Sequence, residues 1–208
     1  DVYPYVAASS ILIASRASIA DRVVISWSKS RPEYAGRDLS DIVNELRISI
    51  EETVEFLNPA GAIYFLMQED DVQRIMAFPQ TMIGSDGMPH DKHPHPRLWG
   101  TFPRVIGHYA RDKGLFSMEE AIRRMTSLPA KTFGITGRGS VERGYYADLV
   151  IFDPKTIADA ATFDSPTLPA LGVEKVFVNG QEIWRNGQPT GNQPGRALRR
   201  QQLQNELH

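Results

Sequence analysis

Residues 61–87 read GAIYFLMQEDDVQRIMAFPQTMIGSDG, and the order of patterns inside this stretch sets the fold class. GAIYFL (Gly61–Leu66) is a continuous apolar run, the pattern of a strand covered on both faces. EDDVQRIMAF follows with helical spacing. Its three acidic residues fall in the first turn, where the positive end of the helix dipole favours them. QTMIGS (Gln80–Ser85) is a second buried-strand run, and it ends at Asp86 between Gly84-Ser85 and Gly87. Working outward, RVVISW (Arg22–Trp27) is β-branched and continuous, and Asp1–Ala7 is a short run of β type. Residues 38–57 place Leu39, Ile42, Val43 and Leu46 on one helical face. Ile50, Val54 and Leu57 continue it after a break. Strands alternating with helices predict right-handed parallel β/α units.

Toward the C-terminus, two further helices are predicted. One runs over Trp99–Asp112, with Phe102, Val105, Ile106 and Tyr109 apolar. The other runs over Ser117–Leu128, opened by a capping box of Ser117 and Glu120. Near Gly134 the character changes to short alternating strands joined by Asn179-Gly180 and Asn186-Gly187, both hairpin-type turns. Two regions are therefore expected, residues 1–135 as the β/α part and 136–208 as a small β-module with a tail.

Composition excludes several classes. The chain has 208 residues, 41% hydrophobic and 23% charged, with a formal net charge of −2. That balance offers no basic footprint for nucleic acid. The one basic bunch, Arg196-Ala-Leu-Arg-Arg200, reads as tail, as does His208. No apolar run approaches the roughly 18 residues of a membrane span, so neither a membrane nor a nucleic acid is expected as partner. The absence of cysteine rules out disulfides and thiolate ligands and is compatible with a cytoplasmic setting. The opening DVYPYVAASS starts inside a β-type run, as expected of a piece cut from a longer chain.

The stretch IGSDGMPHDKHPHPRLW (83–99) holds the candidate chemistry. In parallel β/α folds catalytic groups gather past the C-terminal ends of strands. Asp86 stands there, with glycines that allow close backbone approach. An Asx-turn or helix cap is the competing reading. His93-Pro-His95 has the i, i+2 spacing that can present two imidazoles on one face. The flanking prolines and the lack of a further ligand set favour a hydrogen-bonded loop framework instead. His108 reads as helix packing.

The run from TMIGSDGMPHDKHPHPRLWGTFPRV through AIRRMTSLPAKTFG to RGYYADLVIFDP resembles the D-aminoacylases, the N-acyl-D-amino-acid deacylases of the amidohydrolase superfamily. The likeness extends from DVYPYVAASS to TGNQPGRALRR. It implies a zinc-dependent hydrolase with a (β/α)8 TIM-type barrel and a small β-sandwich, acting on a small-molecule N-acyl-D-amino acid. By this resemblance Asp86 is the proton-carrying aspartate, serving as base toward water and then as acid toward the leaving amine. Tyr3, Ser9 and Arg16 match the region that holds the substrate carboxylate, a natural task for a guanidinium and hydroxyls. Tyr64 and Met67 match the side-chain pocket, for which core packing is the competing account. Arg97 is placed among the substrate-site residues, chiefly as a brace for the loop around Asp86.

The family's zinc ligands, a His-x-His pair, two further histidines and a cysteine, match nothing in these residues. His93-Pro-His95 follows the last strand, not the first. The expectation is therefore the C-terminal half of the barrel followed by part of the sandwich. Such a chain brings no metal ligands of its own and is inactive alone, pairing with a missing half or with itself. Two alternatives stand beside this. One is a cyclic-amide hydrolase of the dihydropyrimidinase type, separable by turnover of N-acetyl-D-methionine against a hydantoin. The other is a non-catalytic packing or assembly module, separable by zinc content.

Overall fold

A computed structural model describes residues 1–198; Arg199, Arg200 and His208 of the expected tail lie outside the described residues. The first sheet is built from β1 (Ala7–Ile11), β2 (Arg22–Ser28) and β3 (Ala60–Phe65) in the order β1-β3-β2. Both pairings are antiparallel, with Ser9 opposite Ile63 and Val24 opposite Ile63. This corrects the expectation of parallel β/α units for these strands. Continuous apolar runs such as VVI report burial on both faces. They do not report strand direction, because an antiparallel sheet covered on both faces produces the same pattern.

One face of this sheet packs on three helices: α1 (Ala14–Ala17), α2 (Leu39–Leu46) and α3 (Ile50–Leu57). Leu12, Ile25, Leu39, Ile42, Leu57 and Tyr64 form the core between them. The break expected within residues 38–57 is real. Arg47 takes a left-handed φ of 55° after α2, and Ser49 and Glu52 form a reciprocal capping box that starts α3. The other face carries Ala7, Val24 and Ile63, covered by Phe163 from far along the chain.

Parallel pairing does occur, at one place. Val2 bridges Ile83 in parallel, with Val2 N–H donating to Met82 and Gly84 N–H donating to Val2. Of the runs expected as strands at Asp1–Ala7 and Gln80–Ser85, this bridge remains, with Ala7 opening β1. Around it close α4 (Glu69–Ala77), α5 (Arg97–Arg104), a π-helical segment Val105–Asp112, α6 (Met118–Met125) and α7 (Ser127–Phe133). Val72 and Met76 of α4, Ile83, Val105 and Tyr109 of the π-helical segment and Ala121 of α6 form a common core. Ser117 caps α6 through Glu120 N–H, but the Glu120 carboxylate turns to Arg123 and Arg124, so only half the expected box forms.

The second sheet, β4 (Leu149–Phe152), β5 (Val173–Val178), β6 (Gln181–Arg185) and β7 (Gln188–Pro189), is an antiparallel meander. Asn179 and Gly180 (φ 48° and 79°) and Asn186 and Gly187 (φ 48° and 84°) make the two hairpin turns. Among the described residues it is a single layer; no second sheet faces it to make a sandwich. No helix of the described residues is long and apolar enough to cross a membrane.

Candidate functional site

The loop after Ile83 is shaped by contacts a larger residue would prevent. A Cβ on Gly87 would stand 2.7 Å from the Leu98 Cα, so the chain can pass α5 here only as glycine. Asp86 takes a left-handed φ of 45°, which aspartate tolerates better than most residues. Its side chain is 66% exposed, and its carboxylate pairs with Arg97 Nη2 at 2.8 Å.

Arg97 is the unexpected member. It is the first residue of α5 and only 2% exposed, although a cation is disfavoured at a helix N-terminus. Its guanidinium lies 4.5 Å from the centre of the Tyr3 ring. Nε and Nη1 are buried and make no hydrogen bond among the described residues. Unused buried donors on a permanent cation are costly unless something accepts from them. Burial holds the Tyr3 hydroxyl above its ordinary pKa, against the pull of the Arg97 charge.

Below this group the histidines act as framework. The His95 Nε2–H donates to the Ala7 carbonyl at 3.0 Å, and Nδ1 accepts from Arg97 N–H at 3.0 Å. Burial, helped by the nearby Arg97 charge and opposed by the Ala7 carbonyl, pushes the imidazole down to about 3. It is therefore neutral at ordinary pH and has no nitrogen left for a metal. His93 Nε2 pairs with the Phe163 carbonyl at 2.7 Å, tying the loop to the segment that covers the first sheet. Burial raises the Asp91 carboxyl above its usual range, with the charges of Arg97 and His90 opposing. Among the described residues no three His, Cys, Asp or Glu side chains gather as a metal site.

The structure brings together only part of the expected set. Tyr3, Asp86 and Arg97 form one group, joined from below by His95, whose ring stands edge-on to Tyr3. Met67 packs on the buried cluster that contains Ile83, as Val2 does. Ser9 sits half-buried on β1, opposite Ile63. Tyr64 lies on the other face of the sheet and is fully buried. Its hydroxyl donates to the Ile11 carbonyl and accepts from Ile13 N–H, both at 2.9 Å. In this structure Tyr64 is a core clamp, the account that competes with a pocket role. Arg16 lies over that ring, 5.5 Å from its centre, with no carboxylate partner among the described residues. No hydrogen bond or ion pair joins Arg16 to the Asp86 group.

What sequence reasoning missed is the burial of Arg97. The only signal was Pro94 and Pro96 on either side of His95, which restrict the backbone at the entry into α5.

Comparison with known proteins supplies the wider context. Residues 47–184 match the model of the amidohydrolase family. The chain is 56% identical over 200 residues to a D-aminoacylase of Alcaligenes xylosoxydans xylosoxydans, covering 96% of this chain and 41% of that protein. It is 48% identical to an N-acyl-D-aspartate deacylase of the same organism, covering 95% of this chain and 40% of the relative. The crystal structure of N-acyl-D-glutamate deacylase from Bordetella bronchiseptica, complexed with zinc and a phosphonate mimic of the tetrahedral intermediate, superposes with a TM-score of 0.87. It is 47% identical, over 90% of this chain and 40% of that one. The chain thus spans about two-fifths of the length of the relatives it matches. The matched residues cover well over half of it, and it belongs to the amidohydrolase family.

Proposed function

We propose that this chain supplies the proton-carrying and carboxylate-binding part of a metal-dependent deacylase acting on N-acyl-D-amino acids. The observation that carries the reading is the buried Arg97 guanidinium with two donor nitrogens, Nε and Nη1, unpartnered among the described residues, beside an exposed aspartate and Tyr3. A substrate carboxylate accepting from Nε or from Nη1 would give one of those donors a charge-assisted partner. Tyr3 would close the seat. Asp86, at the rim, would accept a proton from the attacking water as its oxygen bonds to the amide carbonyl carbon. It would then deliver that proton to the nitrogen as the C–N bond breaks, leaving a carboxylate and a free D-amino acid.

The similarity to zinc-bound deacylases makes zinc the implied cofactor. The described residues do not fit a zinc site: both nitrogens of His95 are taken, His93 is tied to Phe163, and no other trio of donors assembles. The metal is therefore assigned to residues outside these 208, and the chain alone is assigned no turnover.

The test is acetate release from N-acetyl-D-methionine by two zinc-supplied samples. One is the 208-residue chain. The other is the same chain joined behind the N-terminal three-fifths of the D-aminoacylase relative. We expect turnover only in the joined protein, and its loss by about a thousandfold on Asp86→Ala with zinc content unchanged. Turnover by the 208 residues alone, or an Asp86→Ala protein at full activity, would refute the reading.

A further inference from the structure

We infer that Asp159, in the segment joining β4 to β5, is a positioning residue for Tyr3. Acting through Arg104, it fixes the Tyr3-Pro4-Tyr5 turn that presents the Tyr3 hydroxyl to the carboxylate seat. This rests on the deacylase reading above, which uses neither Asp159 nor Arg104.

Tyr3 reaches the seat from neither a strand nor a helix. Val2 behind it is bridged to Ile83, and β1 begins only at Ala7. Between them the chain turns, with Tyr5 N–H donating to the Tyr3 carbonyl at 3.0 Å. Pro4 is buried in this turn, and its ring locks its own φ. The remaining soft torsion at Pro4 is ψ, which decides where its carbonyl points, since the peptide itself is planar. Whatever holds that carbonyl sets how Tyr3 stands relative to Tyr5 and the sheet beyond.

Arg104 holds it. Nε donates to the Pro4 carbonyl at 2.9 Å, and Nη1 donates to Asp159 Oδ2 at 3.1 Å. The guanidinium lies 5.1 Å from the centre of the Tyr5 ring and 5.7 Å from that of Tyr109. Two nitrogens of one planar group are thus fixed at a set angle, and the contact with Asp159 aims Nε at the carbonyl. The pair is largely withdrawn from water, with side chains 27% and 13% exposed, so salt screens it less than a surface pair.

Asp159 is itself anchored. Ile157 is buried, and its carbonyl accepts from Arg111 Nη1 at 2.7 Å. Ala161 is buried, and the Phe163 ring stands edge-on to Tyr5 and His95. A Cβ on Gly100 would stand 2.3 Å from the Tyr5 hydroxyl and 3.1 Å from the Asp159 Cβ, so α5 passes this junction only as glycine. Turn, helix and C-terminal segment meet here, and two side chains carry the position of the segment to Tyr3.

The test is a double-mutant cycle in the zinc-loaded holoenzyme containing these residues, with N-acetyl-D-methionine as substrate. Asp159→Ala should raise KM about tenfold, the worth of one hydrogen bond to a charged group, and leave kcat within about twofold. Tyr3→Phe should raise KM by a similar factor. Added to Tyr3→Phe, Asp159→Ala should then raise KM by less than about twofold, because the hydroxyl it positions is already gone. Effects that simply multiply would overturn the proposal. So would a fall in kcat as large as the rise in KM, the mark of a general disturbance. Asp159→Asn keeps an oxygen for Arg104 Nη1 and should recover most of the KM; an asparagine as impaired as the alanine would count against the geometry and overturn it too. If Asp159→Ala does not fold by circular dichroism, Arg104→Lys takes its place in the cycle. It keeps the cation and gives up the fork, and the same coupling to Tyr3→Phe is required. An unchanged KM in Tyr3→Phe, or no cleavage by the unaltered holoenzyme, would sink the deacylase reading of the seat instead.

Discussion

The two sheets of this chain share antiparallel pairing and differ in what lies against them. β1, β3 and β2 are covered on one side by α1–α3 and on the other by Phe163 and the histidine loop. The second sheet has apolar side chains still in solvent: Val150 and Ile151 are exposed on β4, and Val150 lines a groove with Phe102, Ile106 and Met125. The first sheet draws its order from tertiary packing, and the second from its turns. The candidate site belongs to the first, because the loop that covers that sheet carries Asp86 and leads into α5 at Arg97.

The largest effect should come from the clamp that joins this sheet to its helices. Tyr64→Ala removes a fully buried ring and leaves the Ile11 carbonyl and Ile13 N–H without partners. A loss of about 3–5 kcal/mol is expected, read from urea unfolding. Tyr64→Phe, which keeps the ring, should cost about 1–3 kcal/mol. Equal costs for the two would show that the hydroxyl does nothing.

Acid should attack the covered sheet through His95. Its Nδ1 accepts from Arg97 N–H, so a proton there would set donor against donor. The folded imidazole sits near pKa 3, against about 6.5 in an unfolded chain. Above pH 6.5 neither state is protonated, and this group adds no pH dependence. As pH falls from about 6.5 toward 3, the unfolded chain takes up a proton that the folded one refuses, and stability drops by about 1.4 kcal/mol per pH unit. Below 3 the contribution levels off. His95→Gln, measured by urea unfolding between pH 7 and 4, should show a shallower slope. An unchanged slope would move the acid sensitivity to other groups.

The same contrast explains what the sequence made legible. Asn179-Gly180 and Asn186-Gly187 specify their hairpins locally, so β5, β6 and their partners could be read residue by residue. The burial of Val23, Val24 and Ile25 was equally visible, but their pairing direction was not. Direction is decided by how the chain returns between residues 28 and 60, and no local residue encodes that. Asp86 was legible because glycines flank it at the end of an apolar run. The neutral, fully bonded state of His95 and the burial of Arg97 arise from contacts with Ala7 and Tyr3, some 90 positions away, and composition cannot show them. The break within residues 38–57 was legible from the apolar spacing, and the letters Ser49 and Glu52 mark where it ends, as the capping box that opens α3.

The smallest effect gives the sharpest comparison, since one substitution can be made in both sheets. Val24 is 2% exposed and packed with Ala7 and Ile63; Val150 is 56% exposed on β4. Threonine matches valine in shape and in preference for strands, so Val→Thr changes little except one methyl to a hydroxyl. At Val24 that hydroxyl enters an apolar cluster and should cost about 1–3 kcal/mol if no acceptor moves to meet it. At Val150 it stays in water, and the change should lie within about 0.5 kcal/mol. Urea unfolding of the two single variants gives the difference directly. A cost at Val150 as large as at Val24 would mean that β4 is covered in solution, by a second copy or another chain, and dilution would then separate that cover from the intrinsic stability of the sheet.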